Sequence, residues 1–512
     1  MGSVDRRFVE KISSGFELKT LQPAQVDGNL IEEYAVDCFG LTAKVKIFGK
    51  RSGVGGYYIV EEEPVSADEA KVFSILVGLM TAEDITGVSG RLAYEERLKK
   101  VLREKQGLVG VKVPEDRAEV IVKYAAREVY GYGIIDSVMN DENVSDVVCP
   151  SYGRPVLVRH RSYPDLGWLE TNIVMSKQEL DLFVQKLAGK FGRELSVLNP
   201  KVEVMSEDGS RFMMTFRSEI SLPSSTFAIR KFPKKSWSIA KLVDLKAVSP
   251  EIAAYLWHLV EKKKFIIISG PMGSGKSTLM MALLALIDSR NMVCTCEDTP
   301  EIVLPPQSKW YRLVSRKGSV FGARESELTL YDIALLSLRT GADYVVVGEV
   351  RGVEVQALVQ AAGAGMGCVT TFHADSMGSL IARMKGRPLN VDDSFLMTIG
   401  SVVFIGNIPV GKDRLQRRRV VSVEEPIFSR GEFQSNQVFK INVAEDKFEP
   451  SDLEKVVEKS FRLKEIMDFT GENVLEDLKV KRNLVAEAVE RKLFTAEDMR
   501  SFLDSIKRNG GS

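Results

Sequence analysis

Phe265-Ile-Ile-Ile-Ser269-Gly270-Pro-Met-Gly-Ser-Gly275-Lys276-Ser277-Thr278-Leu-Met-Met-Ala-Leu-Leu-Ala-Leu286 reads as a strand, a glycine-rich loop and a helix in direct succession. The run Phe265 to Ser269 has the length and composition of a buried strand, and Thr278 to Leu286 is a helix-forming run. Between them lies Gly-x-x-x-x-Gly-Lys-Ser. Glycines at these spacings let the backbone curl until its N–H groups converge on a phosphate, at a helix N-terminus whose dipole favours an anion. Lys276 can reach the β- and γ-phosphates, and Ser277 can ligate Mg²⁺. The expected nucleotide-binding set is Gly270, Pro271, Met272, Gly273, Ser274, Gly275, Lys276, Ser277 and Thr278, with ATP and Mg²⁺ as the expected cofactors.

Three further segments end in polar groups after an apolar strand. Asp343-Tyr-Val-Val-Val-Gly-Glu349 carries an acid at each end. Ligand chemistry gathers at the carboxyl edge of an open α/β sheet, so Glu349 is the candidate for the Mg²⁺ shell, and Asp343 reads as a turn residue on the opposite edge. Cys294-Thr-Cys-Glu297-Asp298 is a third strand ending in carboxylates; one of them can orient and deprotonate an attacking water, or the pair is simply solvated. Gly367-Cys-Val-Thr-Thr-Phe-His373 ends in one of only 3 histidines. A lone histidine at a strand end usually means nothing, but here it joins three other strand ends in one sheet. His160 and His258 lack such company and read as structural or surface residues.

Working outward, strand and helix signals alternate from Phe265 to Ile405, as in a parallel sheet. Upstream, Phe232-Pro233-Lys-Lys-Ser236 breaks the pattern and marks a hinge. Before it, short strands at 146–149, 156–158, 202–205, 212–216 and 227–229 follow a helical face over 116–130. Asp208-Gly209 between two of them is a hairpin signal. The first hundred or so residues mix strand-like runs (43–48, 57–61) with a helix start capped by Ser66-Ala-Asp-Glu69. The expected organisation is a small α+β region over 1–112, a second α+β domain over 113–233, and a P-loop ATPase domain over 234–512 with a charged helical tail.

Lys plus Arg and Asp plus Glu both number 70, so the formal net charge is zero. A chain whose main work is coating nucleic acid carries a basic excess, so the balance weighs against that class without removing a local patch. The 5 cysteines are scattered, with neither a disulfide framework nor a second pair to complete a zinc site. No apolar run is long enough to span a bilayer, and no signal core follows the N-terminus. A cytoplasmic protein is expected.

Together, Gly270–Ser277, Cys296-Glu-Asp-Thr-Pro-Glu301, Gly348-Glu-Val-Arg351 (with Leu338-Arg339 before it) and Gly367–His373 resemble the secretion ATPase superfamily of type II and type IV systems. They match its Walker A, Asp box, Walker B and His box in order. Its members include general secretion pathway E proteins, type IV pilus motors and the archaellum motor. The absence of a four-cysteine insertion and the Ser225–Phe232 segment look like the archaeal branch. The resemblance implies a RecA-like ATPase domain behind a PAS-like N-terminal domain. It also implies Glu297 as catalytic base, Glu349 as Walker B acid, Lys276 on the phosphates and His373 as a γ-phosphate-linked switch. Arginines of the N-terminal domain reach the nucleotide in this family, which makes Arg211, Arg217 and Arg230 candidates. It further implies a homo-hexamer at the cytoplasmic face of the membrane, working with a polytopic platform protein and other secretion or pilus components, with no direct nucleic acid. The rival readings are a nucleic-acid translocase or recombinase on the same fold, and a nucleotide-gated scaffold.

Overall fold

A computed structural model describes residues 18–53, 55–79, 90–104, 114–206, 208–233, 235–316, 327–411, 415–429 and 432–509. The chain forms two compact units, Met1–Phe232 and Pro233–Ser512.

The first unit is built on a mixed sheet in the order β1-β2-β3-β6-β5-β4-β9-β8-β7. Its strands are β1 (Gly28–Cys38), β2 (Leu41–Lys50), β3 (Gly56–Glu61), β4 (Val144–Cys149), β5 (Pro155–His160), β6 (Leu169–Val174), β7 (Lys201–Met205), β8 (Arg211–Thr215) and β9 (Thr226–Arg230). The β1–β2 hairpin closes on Phe39 and Gly40, both at positive φ, the two-residue turn whose twist matches that of paired strands. Leu41, Ala43, Val45 and Ile47 alternate inward along β2. Ser66 and Glu69 cap each other's backbone N–H at the start of the helix Ala67–Leu79, as the Ser-x-x-Glu pattern predicts. The helix expected over 116–130 spans Glu115–Val129 and buries Ile121, Val122, Tyr124 and Ala125.

The sequence reading places a domain boundary at 112/113, which lies outside the described residues. The strands on either side of it nonetheless share this one sheet, because β3 pairs in parallel with β6, Gly56 opposite Leu169. A pairing more than a hundred residues apart leaves no mark in local periodicity. No PAS-like class is assigned to this unit; what it has is α+β architecture.

The second unit holds a sheet in the order β12-β11-β13-β14-β10-β15-β16-β17-β18. Strands β10 (Phe265–Ser269), β11 (Met292–Glu297), β12 (Lys309–Val314), β13 (Tyr344–Val347), β14 (Gly367–Phe372) and β15 (Ile399–Val410) run parallel. Strands β16 (Leu415–Ser429), β17 (Glu432–Asn442) and β18 (Lys447–Glu449) extend it antiparallel. β10 is buried along its whole length. Ile266 and Ile268 point into a core with the helices Pro250–Glu261, Lys276–Leu284 and Val474–Glu490. Phe265 and Ile267 point into a second core with Leu330–Ser337, Val355–Gly363 and Met377–Lys385. Cover on both faces is what a parallel sheet requires, and it explains why β10 reads as a continuous apolar run. The first-read strand, β10, lies between β14 and β15 with β13 one place further, the RecA-like arrangement expected. No helix among the described residues is long and apolar enough to cross a membrane.

Candidate nucleotide site at the carboxyl edge of the parallel sheet

The loop Gly270–Gly275 leaves β10 at the carboxyl edge and enters the helix Lys276–Leu284. Gly270 has φ +155°, and a Cβ there would sit 2.0 Å from the carbonyl oxygen of Ile405 on β15, so only glycine fits. Gly275 caps the helix in the left-handed region at φ +102°. The Ser274 hydroxyl oxygen is buried without a hydrogen-bond partner. A buried, unsatisfied hydroxyl in a glycine-rich loop at a helix N-terminus is chemically suited to an anion.

Lys276 is 7% exposed and donates to the carbonyl oxygens of Gly270 and Pro271, each at 2.9 Å. Its Nζ also lies 3.4 Å from Nδ1 of His373, one residue beyond β14. Burial pushes the ammonium below its ordinary value, against the opposing pull of Glu349 and Glu301. On its other side, His373 places Nε2 2.5 Å from Oε1 of Glu349. The contact is off the line of a hydrogen bond, so this buried oxygen has no bonded partner. Arg351 donates to Oε2 of Glu349 at 2.5 Å. Burial pushes the Glu349 carboxyl up, but Arg351, then His373 and Lys276, outweigh it and hold it below the usual range. The turn after Glu349 is set by Glu354, whose Oε1 accepts from Arg351 N at 2.5 Å and Gly352 N at 2.7 Å.

Glu297 ends β11, next to β13 in the sheet. Its Cγ would lie 3.3 Å from a Cβ at Gly348, so the glycine before Glu349 makes room for it. Glu297 is 2% exposed. Its Oε1 accepts from the backbone N–H of Glu301 at 2.7 Å and Ile302 at 2.8 Å. Its Oε2 is buried and accepts no hydrogen bond, with Arg312 Nε on β12 3.4 Å away. Burial pushes the carboxyl up to about 7, against those two N–H donors and Arg312. Asp298, its neighbour in sequence, is exposed and accepts from Ser315 Oγ at 2.8 Å. The two carboxylates read as a pair are thus in opposite environments.

The structure therefore brings Lys276, His373, Glu349 and the loop together, with Glu297 one strand away. Ser277 is half-buried in the first turn of the loop helix. Asp343 sits at the other edge, accepting from Lys263 at 2.8 Å and from Met292 N at 3.0 Å. Arg211, Arg217 and Arg230 all belong to the first unit. There Arg211 pairs with Glu203, while Arg217 lies 3.3 Å from Asp181 and Arg230 lies 3.2 Å from Asp146. His160 and His258 are both buried, His160 beside Tyr34 and His258 against Asp477 at 2.6 Å. Sequence reasoning passed over Arg312 because β12 alternates weakly and Arg312 is placed only by its register opposite Thr295.

Fold and site define a RecA-like P-loop nucleotide-binding protein. The family described as type II/IV secretion system protein matches residues 208–399. An uncharacterised protein of Methanocaldococcus jannaschii is 32% identical over 369 residues, which are 71% of this chain and 64% of that protein. This chain thus spans just under two thirds of that relative's length. A second uncharacterised protein of the same organism is 33% identical over 232 residues, 45% of this chain and 82% of that one. The solved structure of the Legionella pneumophila ATPase DotB covers 67% of this chain and 84% of its own at 18% identity, with a TM-score of 0.40, too loose to carry geometry across. The chain belongs to the type II/IV secretion ATPase family.

Proposed function

We propose that the chain hydrolyses Mg-ATP and couples that step to mechanical work in protein secretion or in assembly of a pilus-like filament. The observation that carries this reading is the Oε2 of Glu297, which accepts no hydrogen bond and is buried one strand from the contiguous Lys276–His373–Glu349 contact. Loop N–H groups and Lys276 would hold the β- and γ-phosphates. Ser277 and Glu349, whose Oε1 lacks a bonded partner, fit a cation that takes only one or two protein ligands. Bound there, Mg²⁺ would neutralise charge on the phosphates. Glu297 has one oxygen fixed by two backbone donors and the other open, which suits it to orient a water and take its proton. A carboxyl near 7 is poised for that exchange at neutral pH. His373 bridges the phosphate-side lysine and Glu349, so a γ-phosphate drawing Lys276 away would be felt at Glu349.

The finer reading is a homo-hexamer at the cytoplasmic face of a membrane, driven through motion of the 113–233 domain against the 234–512 domain. Arg211, Arg217 or Arg230 would supply positive charge to the phosphates, and a polytopic platform protein would take up the motion. Phosphate release by the purified chain in Mg-ATP, with and without Lys276→Ala, tests the core of it. Loss of Lys276 should cut turnover at least about a hundredfold, as removing a transition-state charge contact does. Equal turnover in both proteins would sink the reading.

A further inference from the structure

We infer that Arg312 is a positioning residue for Glu297: from the edge strand β12 it steers the open carboxylate oxygen by charge while leaving that oxygen's lone pairs for the attacking water. The inference rests on the proposed role of Glu297. Three observations carry it. Glu297 Oε1 is held by two backbone N–H groups of its own loop, but nothing bonds Oε2, although both oxygens belong to a side chain only 2% exposed. Arg312 Nε is 3.4 Å from Oε2, close enough to attract it and not aligned to bond it. The guanidinium is itself placed, because it lies 5.1 Å over the ring of Trp310 on the same face of β12. Trp310 is pinned in turn by a 2.8 Å hydrogen bond from its Nε1 to the buried Thr295 on β11. Thr295 stands opposite Arg312 in the strand pairing, so sheet register decides which edge-strand side chain reaches the carboxylate.

A cation that formed a direct hydrogen bond would take one of this oxygen's two lone pairs and compete with the water for the carboxylate. One held slightly back, on an aromatic shelf, keeps the carboxylate oriented and its basic oxygen available. Glu301 on the same loop is the charge that opposes it. Beyond Gly348 on the neighbouring strand come Glu349 and its partner Arg351, and Arg351 also feels Asp298 and Glu301. Of these two arginines, it is Arg312, on β12, that stands within ion-pair distance of Glu297.

The test compares the full chain with Arg312→Gln, Arg312→Lys and Glu297→Gln, reading ATP turnover against pH and nucleotide affinity separately. Arg312→Gln should move the acid limb of kcat up by about one pH unit, the low end of what a nearby cation gives, since Arg312 is about a third exposed. That corresponds to a several-fold loss near pH 6.5, with KM for ATP unchanged. Arg312→Lys, which keeps the charge, should recover most of the limb. The protonated-carboxyl infrared band absent from Glu297→Gln should titrate higher in Arg312→Gln, a readout independent of turnover. A pH profile and band that overlay those of the unaltered chain, or a loss equal at every pH, overturns the inference. If Glu297→Gln hydrolyses ATP at full rate, the base assignment fails and takes the inference with it. An inactive Glu297→Gln beside an unshifted Arg312→Gln removes the inference alone.

Discussion

Glu297→Gln should make the second unit more stable at the pH where it abolishes turnover, and by an amount that depends on pH. The ordinary glutamate value is 4.5, and burial lifts Glu297 to about 7. Between those values the folded chain keeps the proton and the unfolded chain releases it, so the folded state loses stability as pH rises through the window. At about 1.4 kcal/mol per pH unit, the difference amounts to about 3 kcal/mol, absent below pH 4.5 and complete above pH 8. Glutamine does not titrate. Its carbonyl can still accept from Glu301 N and Ile302 N, and its amide takes the place of the unbonded Oε2. Thermal unfolding of variant and unaltered chain, followed by calorimetry at pH 4.5 and pH 8.5, isolates this term, because every other carboxylate cancels in the difference. For a unit of this size about 2 °C accompanies each kcal/mol, so the variant's advantage should grow by roughly 6 °C between the two pH values. An advantage that is the same at both, within about 1 °C, would mean that Glu297 ionises like a solvated carboxylate. The pairing of activity lost with stability gained follows from one cause, a charge held in the interior for chemistry.

Two other substitutions probe the frame around the site and the first unit. Gly270→Ala places a methyl group 2.0 Å from the Ile405 carbonyl oxygen at a φ of +155°, so the loop must move off β15. Nucleotide affinity, measured by fluorescent-analogue titration, should fall by at least tenfold while the circular dichroism spectrum keeps its strand signal. In the first unit, Arg127 and Glu62 form a buried pair at 2.6 Å, Arg127 3% exposed. Arg127→Met leaves the Glu62 charge uncompensated and should cost about 3–5 kcal/mol, seen as a lower urea midpoint, and Arg127→Met with Glu62→Gln should recover most of it. A single variant as stable as its parent would show that Glu62 finds water.

The four strand ends were legible because each couples a short apolar run to a chemically distinctive end. β10 shows a continuous apolar run, since both its faces are covered, and the loop behind it needs glycine where the backbone passes Ile405. Asp343 and Glu349 could be told apart by strand polarity alone, and the structure puts Asp343 with Lys263 at the far edge. Helix starts with reciprocal caps, such as Ser66 and Glu69, were equally visible. Less visible were β12 and β16–β18, for which the sequence reading offers no strand signal.

What the sequence by itself determined is the parallel strand–loop–helix unit, its phosphate loop and the identity of the groups at its carboxyl edge. These depend on contacts between residues near in the chain and on backbone conformations that only certain residues permit. Tertiary structure alone decided that residues 28–61 join the sheet of residues 144–230, through the β3–β6 pairing. It alone separated Glu297 from Asp298, burying one and exposing the other. It alone brought Arg312 to Glu297 across the β11–β12 register. Burial and cross-strand register belong to neighbours distant in sequence, and they set the charge state on which the proposed chemistry depends.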